Sequence, residues 1–169
     1  MIGVVGMGMW NVIAVLKKAD GTKKVLFAKN IVTDEGDKWY AQKACGETPT
    51  NNFNTMVLGN GTQPTWGKSS TYDDLGSPIS GSEKTVSSGY PKTNDDDTDN
   101  TGAGADVVTW KFEWGKTDFS ATGINQAVIT VASPGTGSPI LTGFNFTSSF
   151  DKTENDTLKV FVNHTMNGT

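Results

Sequence analysis

Five carboxylates lie in the segment GYPKTNDDDTDNTGAGADVVTW, directly before a strand-like run. Asp95, Asp97 and Asp99 alternate as in a calcium-binding loop, and Asp106 lies at the twelfth position counted from Asp95. Because calcium takes oxygen ligands in flexible geometry, these four residues are a candidate calcium site, the one cofactor that the sequence suggests. Asn100 replaces the glycine of an EF-hand loop, and no helices are predicted beside it. A solvated acidic loop is therefore the competing interpretation.

The chain contains one cysteine, Cys45, and one histidine, His164. A cysteine nucleophile needs a nearby base that forms the thiolate, and a third group that orients the base. Simpler roles account for both residues, since Cys45 falls on the apolar side of a predicted helix and His164 lies in an alternating strand. We therefore predict no catalytic residues and expect a protein that is not an enzyme. One cysteine also excludes an intramolecular disulfide and a four-cysteine zinc site.

Aromatic residues in predicted loops suggest a second kind of chemistry. Trp66, Tyr72 and Tyr90 could form a platform on which a sugar ring stacks, as in a carbohydrate-binding β-module. The competing interpretation is that these rings pin long loops onto the core, and it is the one we favour. Acid pairs such as Asp73 and Asp74 lie within single loops, whereas glycoside hydrolysis needs two acids across a cleft.

The N-terminal third predicts a hairpin rather than a nucleotide site. Gly6 and Gly8 follow an apolar run, as in a dinucleotide-binding turn, but Asn11 stands at the position of the third glycine. Two β-rich runs then flank Asp20 and Gly21 in WNVIAVLKKADGTKKVLFAKNIV, which is a strong hairpin signal. We predict an N-terminal hairpin or arm over residues 1–30.

The segment TDEGDKWYAQKACG predicts the one short helix. Thr33 or Asp34 can cap its start, acidic residues occupy its first turn, and Gly46 can end it. The predicted buried side of the helix comprises Trp39, Tyr40, Ala44 and Cys45.

The C-terminal third predicts strands. Apolar and polar residues alternate in DVVTWKFEWGK, the pattern of a strand with one buried face. The runs NQAVITVAS, PILTGFNFTSSF and TLKVFVNHTM continue this pattern, with turn signals between them. Because the last run is apolar on both faces, it is predicted to be central or to lie at a subunit interface. We predict one all-β domain over residues 1–169, a mainly antiparallel sandwich or barrel with one short helix.

Composition narrows the classes of partner. The 169-residue chain has 20 glycines, a hydrophobic fraction of 35% and a net charge of −4. Its basic residues are dispersed, so we predict no direct nucleic-acid binding, which requires a clustered basic surface. The apolar N-terminal run is interrupted, too short to span a bilayer, and followed rather than preceded by positive charges, so neither a membrane segment nor a signal peptide is expected.

Several ordered segments from about residue 30 onwards resemble a group of phage-encoded structural proteins. These segments are TDEGDKWYAQ, MVLGNGTQPTW, YDDLGSPI, GYPKTNDDDTDNTGAGADVVTWKFEW, ATGINQAVIT and FDKTENDTLKVFVNHTMNG. Small acidic β-rich proteins of this size are similar to capsid decoration, or cement, proteins. The resemblance implies a virion protein on the outer capsid, a homo-oligomer with a trimer favoured, and the major capsid protein as partner. Tail, neck and fibre proteins remain the alternative, and a carbohydrate-binding module is the second one.

The apolar N-terminus is predicted to make the capsid or subunit contacts, by pairing with an edge strand of a neighbour. The alternative is that it belongs to the core of its own subunit. The predicted contact residues are Met1, Ile2, Val4, Val5, Met7, Met9 and Trp10.

Overall fold

Eight strands and one α-helix form the described part of the chain, which confirms the predicted all-β class with one short helix. The computed structural model describes residues 11–166. The elements in chain order are β1 (Val12–Lys17), β2 (Lys23–Val32), α1 (Asp34–Ala44), β3 (Phe53–Gly59), β4 (Lys84–Thr85), β5 (Val107–Trp114), β6 (Ala121–Val131), β7 (Ile140–Lys152) and β8 (Thr157–Thr165). One turn of 3₁₀ helix, Tyr72–Asp74, lies in the long loop between β3 and β4.

The strands form one sheet in the order β4-β3-β6-β7-β2-β1-β8-β5, and all paired strands are antiparallel. The residues after β4 connect the two ends of this sheet. The N–H of Val86 donates to the carbonyl of Asn54 (2.7 Å), and the N–H of Ser87 donates to the carbonyl of Lys111 in β5 (2.8 Å). The sheet therefore curls into a nearly closed barrel, which leaves little free strand edge.

The predicted hairpin is formed by β1 and β2, with Val12 opposite Ala28. Its turn is fixed locally, because the Asp20 carboxylate accepts hydrogen bonds from the backbone N–H and the hydroxyl of Thr22. Gly21 has a φ of +87°, a conformation that glycine adopts without a steric penalty. The turn residues and the apolar pattern of the flanking strands therefore both specify a hairpin in this part of the chain.

Alternate residues of β5 and β8 fill the barrel, which confirms the period-2 prediction. Their inward side chains are Trp110, Phe112, Trp114, Leu158, Val160 and Val162, all at most 1% exposed. Strand β8 lies between β1 and β5, so the prediction of a central final strand is also confirmed.

Helix α1 covers one end of the barrel. Thr33 caps the helix, since its hydroxyl accepts from the N–H of Gly36 (3.1 Å), and Trp39 packs in the core against Trp110 with ring centroids 5.2 Å apart. The helix is not long and apolar enough to span a membrane, and nor is any other helix within residues 11–166.

The predicted buried side of α1 is only partly correct. Trp39 is buried and Tyr40 is partly buried, but Ala44 and Cys45 are exposed. The helix meets the barrel through its first turns, where Gly36 lies against the backbone of Leu141, and its last turn extends into solvent. Cys45 is therefore a C-cap residue, not a core residue.

We predict that Gly36→Ala destabilises the protein. A Cβ at this position would lie 2.3 Å from the Leu141 carbonyl oxygen and 2.7 Å from Val32 Cγ1, so the helix must move away from β7. The overpacking cost, about 1 to 3 kcal/mol, exceeds the gain of about 1 kcal/mol that alanine brings to a helix. Urea denaturation measures the change. Gly67→Ala is the matched control, because its Cβ would meet no atom within 4 Å; equal stability of the two variants would contradict the prediction.

Candidate functional site

The acidic loop, residues 93–106, lies across the outer faces of β5 and β8. The backbone of Lys92 pairs with that of Thr109 in β5 where the loop begins, and Asn94 donates to the carbonyl of Gly104, which closes the loop on itself (3.0 Å). The loop therefore packs against the barrel wall and is not a solvated surface loop.

Ion pairs attach the loop to three neighbouring strands. The Asp97 carboxylate lies 2.9 Å from the Lys111 ammonium and 3.0 Å from that of Lys159. The Asp99 carboxylate contacts Lys159 (3.2 Å) and Lys23 (2.7 Å). These lysines belong to β5, β8 and β2, so two carboxylates connect the loop to distant parts of the chain.

A buried amide network lies beside the ion pairs. Asn100 and Asn163 exchange two hydrogen bonds between their side chains, of 2.9 and 3.1 Å. The Thr109 hydroxyl also donates to Asn163 (2.7 Å), and Asn100 donates to the Asp95 carboxylate (2.9 Å). Thr109 was predicted on the outer, polar face of its strand, and it is fully buried because the loop covers it.

These contacts lower the pKa values of Asp95 and Asp97. Burial alone would raise the pKa of Asp97, but hydrogen bonds from Lys111, from the N–H of Asp99 and from Lys159 outweigh it and lower the pKa to about 2. The pKa of Asp95 is also lowered, because donors on Tyr90 and Asn100 outweigh the effect of burial. Both groups therefore stay ionised at neutral pH and hold the loop in place.

The calcium hypothesis is not supported by this geometry. Asp97 and Asp99 face lysines, Asp95 faces Tyr90 and Asn100, and within residues 11–166 no three acidic, histidine or cysteine side chains are grouped as a metal site. Asp106 contributes its backbone carbonyl, which accepts from the N–H of Met166 (2.8 Å). Lysine ammonium groups supply the positive charge that the hypothesis assigned to calcium.

His164 belongs to a buried polar cluster under α1. Its Nδ1 lies 2.6 Å from the Tyr40 hydroxyl, which accepts from the Trp110 indole (2.8 Å), and its Nε2 contacts the Asn30 amide. Burial lowers the pKa of His164 to about 3, so the imidazole is neutral in the folded protein. Since an unfolded histidine takes up a proton below about pH 6.5, this residue destabilises the fold progressively as the pH falls from there towards 3.

Cys45 and His164 do not form a hydrogen-bonded pair in the described part of the chain. His164 is enclosed by Tyr40 and Asn30, whereas Cys45 is exposed at the end of α1. The prediction of separate, non-catalytic roles stays a prediction, because geometry in one state does not measure activity.

The three candidate sugar-stacking rings do not share one surface. Trp66 is buried in a cluster that also packs Tyr72, and its indole donates to the Asn145 side chain on β7 (2.9 Å). Tyr90 lies elsewhere, and its ring faces the ammonium groups of Lys92 and Lys111. Trp66 thus pins its loop to the barrel wall, in line with the interpretation that we favoured.

The sequence reasoning missed an exposed apolar stripe on β2. Val25, Phe27 and Ile31 point outward and are 48%, 37% and 39% exposed, with the exposed Lys29 on the same face between Phe27 and Ile31. A groove of about 520 Å³ lies between Phe27 and the acidic loop, with Ile13 among its lining residues. The run KKVLFAKNIV carries apolar residues on both faces, and this signal could have revealed the stripe.

A larger cleft, of about 1030 Å³, opens beside α1. It is enclosed by the helix, by the segments 48–54 and 86–93 and by the start of β5, with Met166 among its lining residues. Its apolar lining includes Trp39, Tyr40, Phe53, Val86, Val108 and Met166. The seven predicted contact residues between Met1 and Trp10 lie outside the described residues, so that contact stays a prediction.

No protein-family model, curated protein or solved structure matches the chain.

We predict that Asp97→Asn lowers the free energy of unfolding by about 1 to 2 kcal/mol at pH 7, because Lys111 and Lys159 lose their shared partner. A carboxyl with a depressed pKa stabilises the fold above its unfolded pKa, 3.8, and this contribution is lost as the pH falls towards about 2. The difference from wild type should therefore shrink below pH 4. Urea titrations across this range measure it, with the exposed Asp96→Asn as control; a difference that is constant with pH would contradict the ion-pair account.

We also predict that millimolar calcium leaves the melting temperature unchanged. Asp95, Asp97 and Asp99 already have lysine, tyrosine and asparagine partners, so calcium binding would require those contacts to break. Differential scanning fluorimetry with calcium and with EDTA tests this expectation. A calcium-dependent rise in melting temperature that disappears in Asp97→Asn would restore the calcium hypothesis.

Proposed function

We propose that the protein is a non-enzymatic bacteriophage structural protein that decorates the outer capsid and stabilises it. The observation that carries the proposal is the exposed β2 stripe of Val25, Phe27 and Ile31 on the wall of a nearly closed barrel. The resemblance of the segments from about residue 30 onwards to phage structural proteins supports the same assignment. The major capsid protein is the proposed partner, and a trimer is the proposed assembly.

The stripe favours contact through side chains. Strand β2 pairs with β1 over residues 23–28 and with β7 over residues 28–32, so the backbone of each part of the strand is already paired on one side. Neighbouring apolar side chains that remain exposed mark interaction surfaces more often than isolated ones do. Phe27 is the best anchor of the three, because aromatic residues are enriched at the centres of interfaces.

The proposed mechanism is multivalent attachment. A three-residue stripe supports only a weak contact on its own, but subunits joined in an oligomer bind a lattice with a high effective concentration after the first contact. The barrel supplies a rigid platform, so little conformational entropy is lost on binding. Many weak contacts would thereby brace neighbouring capsid subunits.

Copy number in the virion tests the proposal. We expect purified virions of the phage that encodes this chain to contain between about one-third and one copy per major capsid protein, as symmetric capsid sites require. Quantitative mass spectrometry measures the ratio. A few to a few dozen copies would move the protein to the neck, tail or fibre. Complete absence of the protein from virions would overturn the virion assignment. The carbohydrate-binding alternative would then be favoured, and a measurement of glycan affinity would test it.

A binding experiment tests the surface. Phe27→Asp should weaken attachment to undecorated capsids about tenfold or more, since it places a charge in an apolar contact. Thr117→Asp is the matched control, because Thr117 is exposed in the turn between β5 and β6, away from β2. Equal co-sedimentation of the two variants with capsids would exclude the stripe as the contact, without bearing on copy number.

A further inference from the structure

The directions of the hydrogen bonds around His164 follow from the position of Asn11. The backbone N–H of Asn30 donates to Asn11 Oδ1 (3.0 Å), so the Asn11 amide nitrogen is the atom that donates to Asn30 Oδ1. The Asn30 amide nitrogen is thereby turned towards the Thr142 hydroxyl (2.8 Å) and towards His164 Nε2. Because an amide nitrogen is only a donor, Nε2 must accept, and the imidazole carries its one proton on Nδ1.

This tautomer leaves the Tyr40 hydroxyl with an unused proton. The Tyr40 oxygen accepts from His164 Nδ1 (2.6 Å) and from the Trp110 indole N–H (2.8 Å). A tyrosine hydroxyl that accepts twice still carries its own proton, and burial raises the pKa of Tyr40, so the proton is retained. The two nitrogens are the only hydrogen-bond partners of this hydroxyl within residues 11–166. Since an unmade hydrogen bond at a largely buried donor is unfavourable, the proton needs an acceptor that those residues do not supply.

The cleft beside α1 is the concavity from which an acceptor can reach this proton. Tyr40 and Trp110, two members of the hydrogen-bonded group, both line it. Its volume of about 1030 Å³ is at the upper end of the range for small-molecule sites. Its apolar lining includes Val86, Val108 and Met166. An apolar concavity that presents a few polar groups is the usual composition of a small-molecule site.

The charges at the cleft favour an uncharged ligand. Lys92 is paired with the Asp96 carboxylate at 2.7 Å and lies 3.6 Å from that of Asp95. The Lys43 ammonium lies over the Trp39 ring, 5.6 Å from its centroid. Each of these two lysines thus has a compensating partner, and neither needs an anionic ligand.

We propose that the cleft beside α1 binds a small, uncharged, apolar molecule through one accepting oxygen, such as a carbonyl, that takes the Tyr40 proton. The apolar body of the ligand lies against Val86, Val108 and Met166, and the burial of its surface supplies most of the affinity. The hydrogen bond from Tyr40 fixes the orientation of the ligand. This site goes beyond the proposed capsid role and does not depend on it, because that role uses β2.

Two matched fluorescent probes test the site. Prodan is an uncharged dimethylaminonaphthalene that carries a propionyl group, and its carbonyl is the accepting oxygen that the proposal requires. Its emission moves to shorter wavelength in apolar surroundings, and to longer wavelength when the carbonyl accepts a hydrogen bond. The second probe is dimethylaminonaphthalene itself, which has the same apolar body and no carbonyl. Fluorescence titrations of the full-length protein with each probe give the two dissociation constants.

We expect Tyr40→Phe to weaken the binding of Prodan about fivefold, and that of dimethylaminonaphthalene less than about twofold, because only Prodan can accept the Tyr40 proton. Prodan bound to the variant should also emit at shorter wavelength than Prodan bound to the wild type. A merely structural effect of the substitution would weaken both probes equally. Tyr72→Phe is the control, since Tyr72 packs in the cluster of Trp66 and does not line the cleft, and it should leave both affinities unchanged.

Two further variants locate the bound probe. Met166→Asp should weaken both probes about tenfold, because it places a charge in the apolar lining of the cleft, whereas Phe27→Asp should weaken neither. The absence of saturable binding to the wild type would overturn the proposal, and so would equal losses of the two probes in Tyr40→Phe. Binding that is lost in Phe27→Asp would place the probe on the β2 stripe and would also overturn it. Capsid attachment and virion copy number are independent of these outcomes, so the two proposals fail separately.

Discussion

Strand β8 is buried on both faces, and the other elements are arranged around that burial. Its inner residues, such as Val160, pack in the barrel, while Phe161 on its outer face is fully buried in a cluster with Ile13 and Val15 of β1. An outer wall with such residues needs a cover. The acidic loop supplies it, and its attachment to Lys111 and Lys159 fixes where the loop lies.

The cover is polar because the wall presents lysines beside its apolar residues. Lys23, Lys111 and Lys159 converge on Asp97 and Asp99 from three strands, and leaving such charges partly buried without partners would be costly. The amide network of Asn100 and Asn163 satisfies the uncharged groups at the same place. Among residues 11–166, no buried side-chain nitrogen or oxygen lacks a hydrogen-bond partner. The sheet and its cover thus form one hydrogen-bonded unit.

The sequence patterns correctly predicted those structural features that depend on residues close together in the chain. The alternation in β5, the Asp20-Gly21 turn and the Thr33 cap depend on neighbours within a few residues, so one sequence was enough to find them. The role of the acidic loop depends on pairs such as Asp97 with Lys159, which lie 62 residues apart. The spacing of the aspartates within the loop suggested calcium, because the lysines that pair with them are too distant in the sequence to be recognised from that spacing. The prediction of a buried Cys45 was wrong because periodicity gives the side of a helix but not where its contact with the barrel ends.

Barrel closure also limits how the protein can associate. The sequence suggested pairing between an apolar N-terminal strand and an edge strand, but in the described barrel the ends of the sheet are joined through Val86 and Ser87. A backbone whose donors and acceptors are already paired cannot recruit a further strand without opening. Association through side chains is then favoured over strand addition, and the exposed large apolar side chains are concentrated on β2 and at Met166. The first faces outward from the barrel wall, and the second lines a concavity.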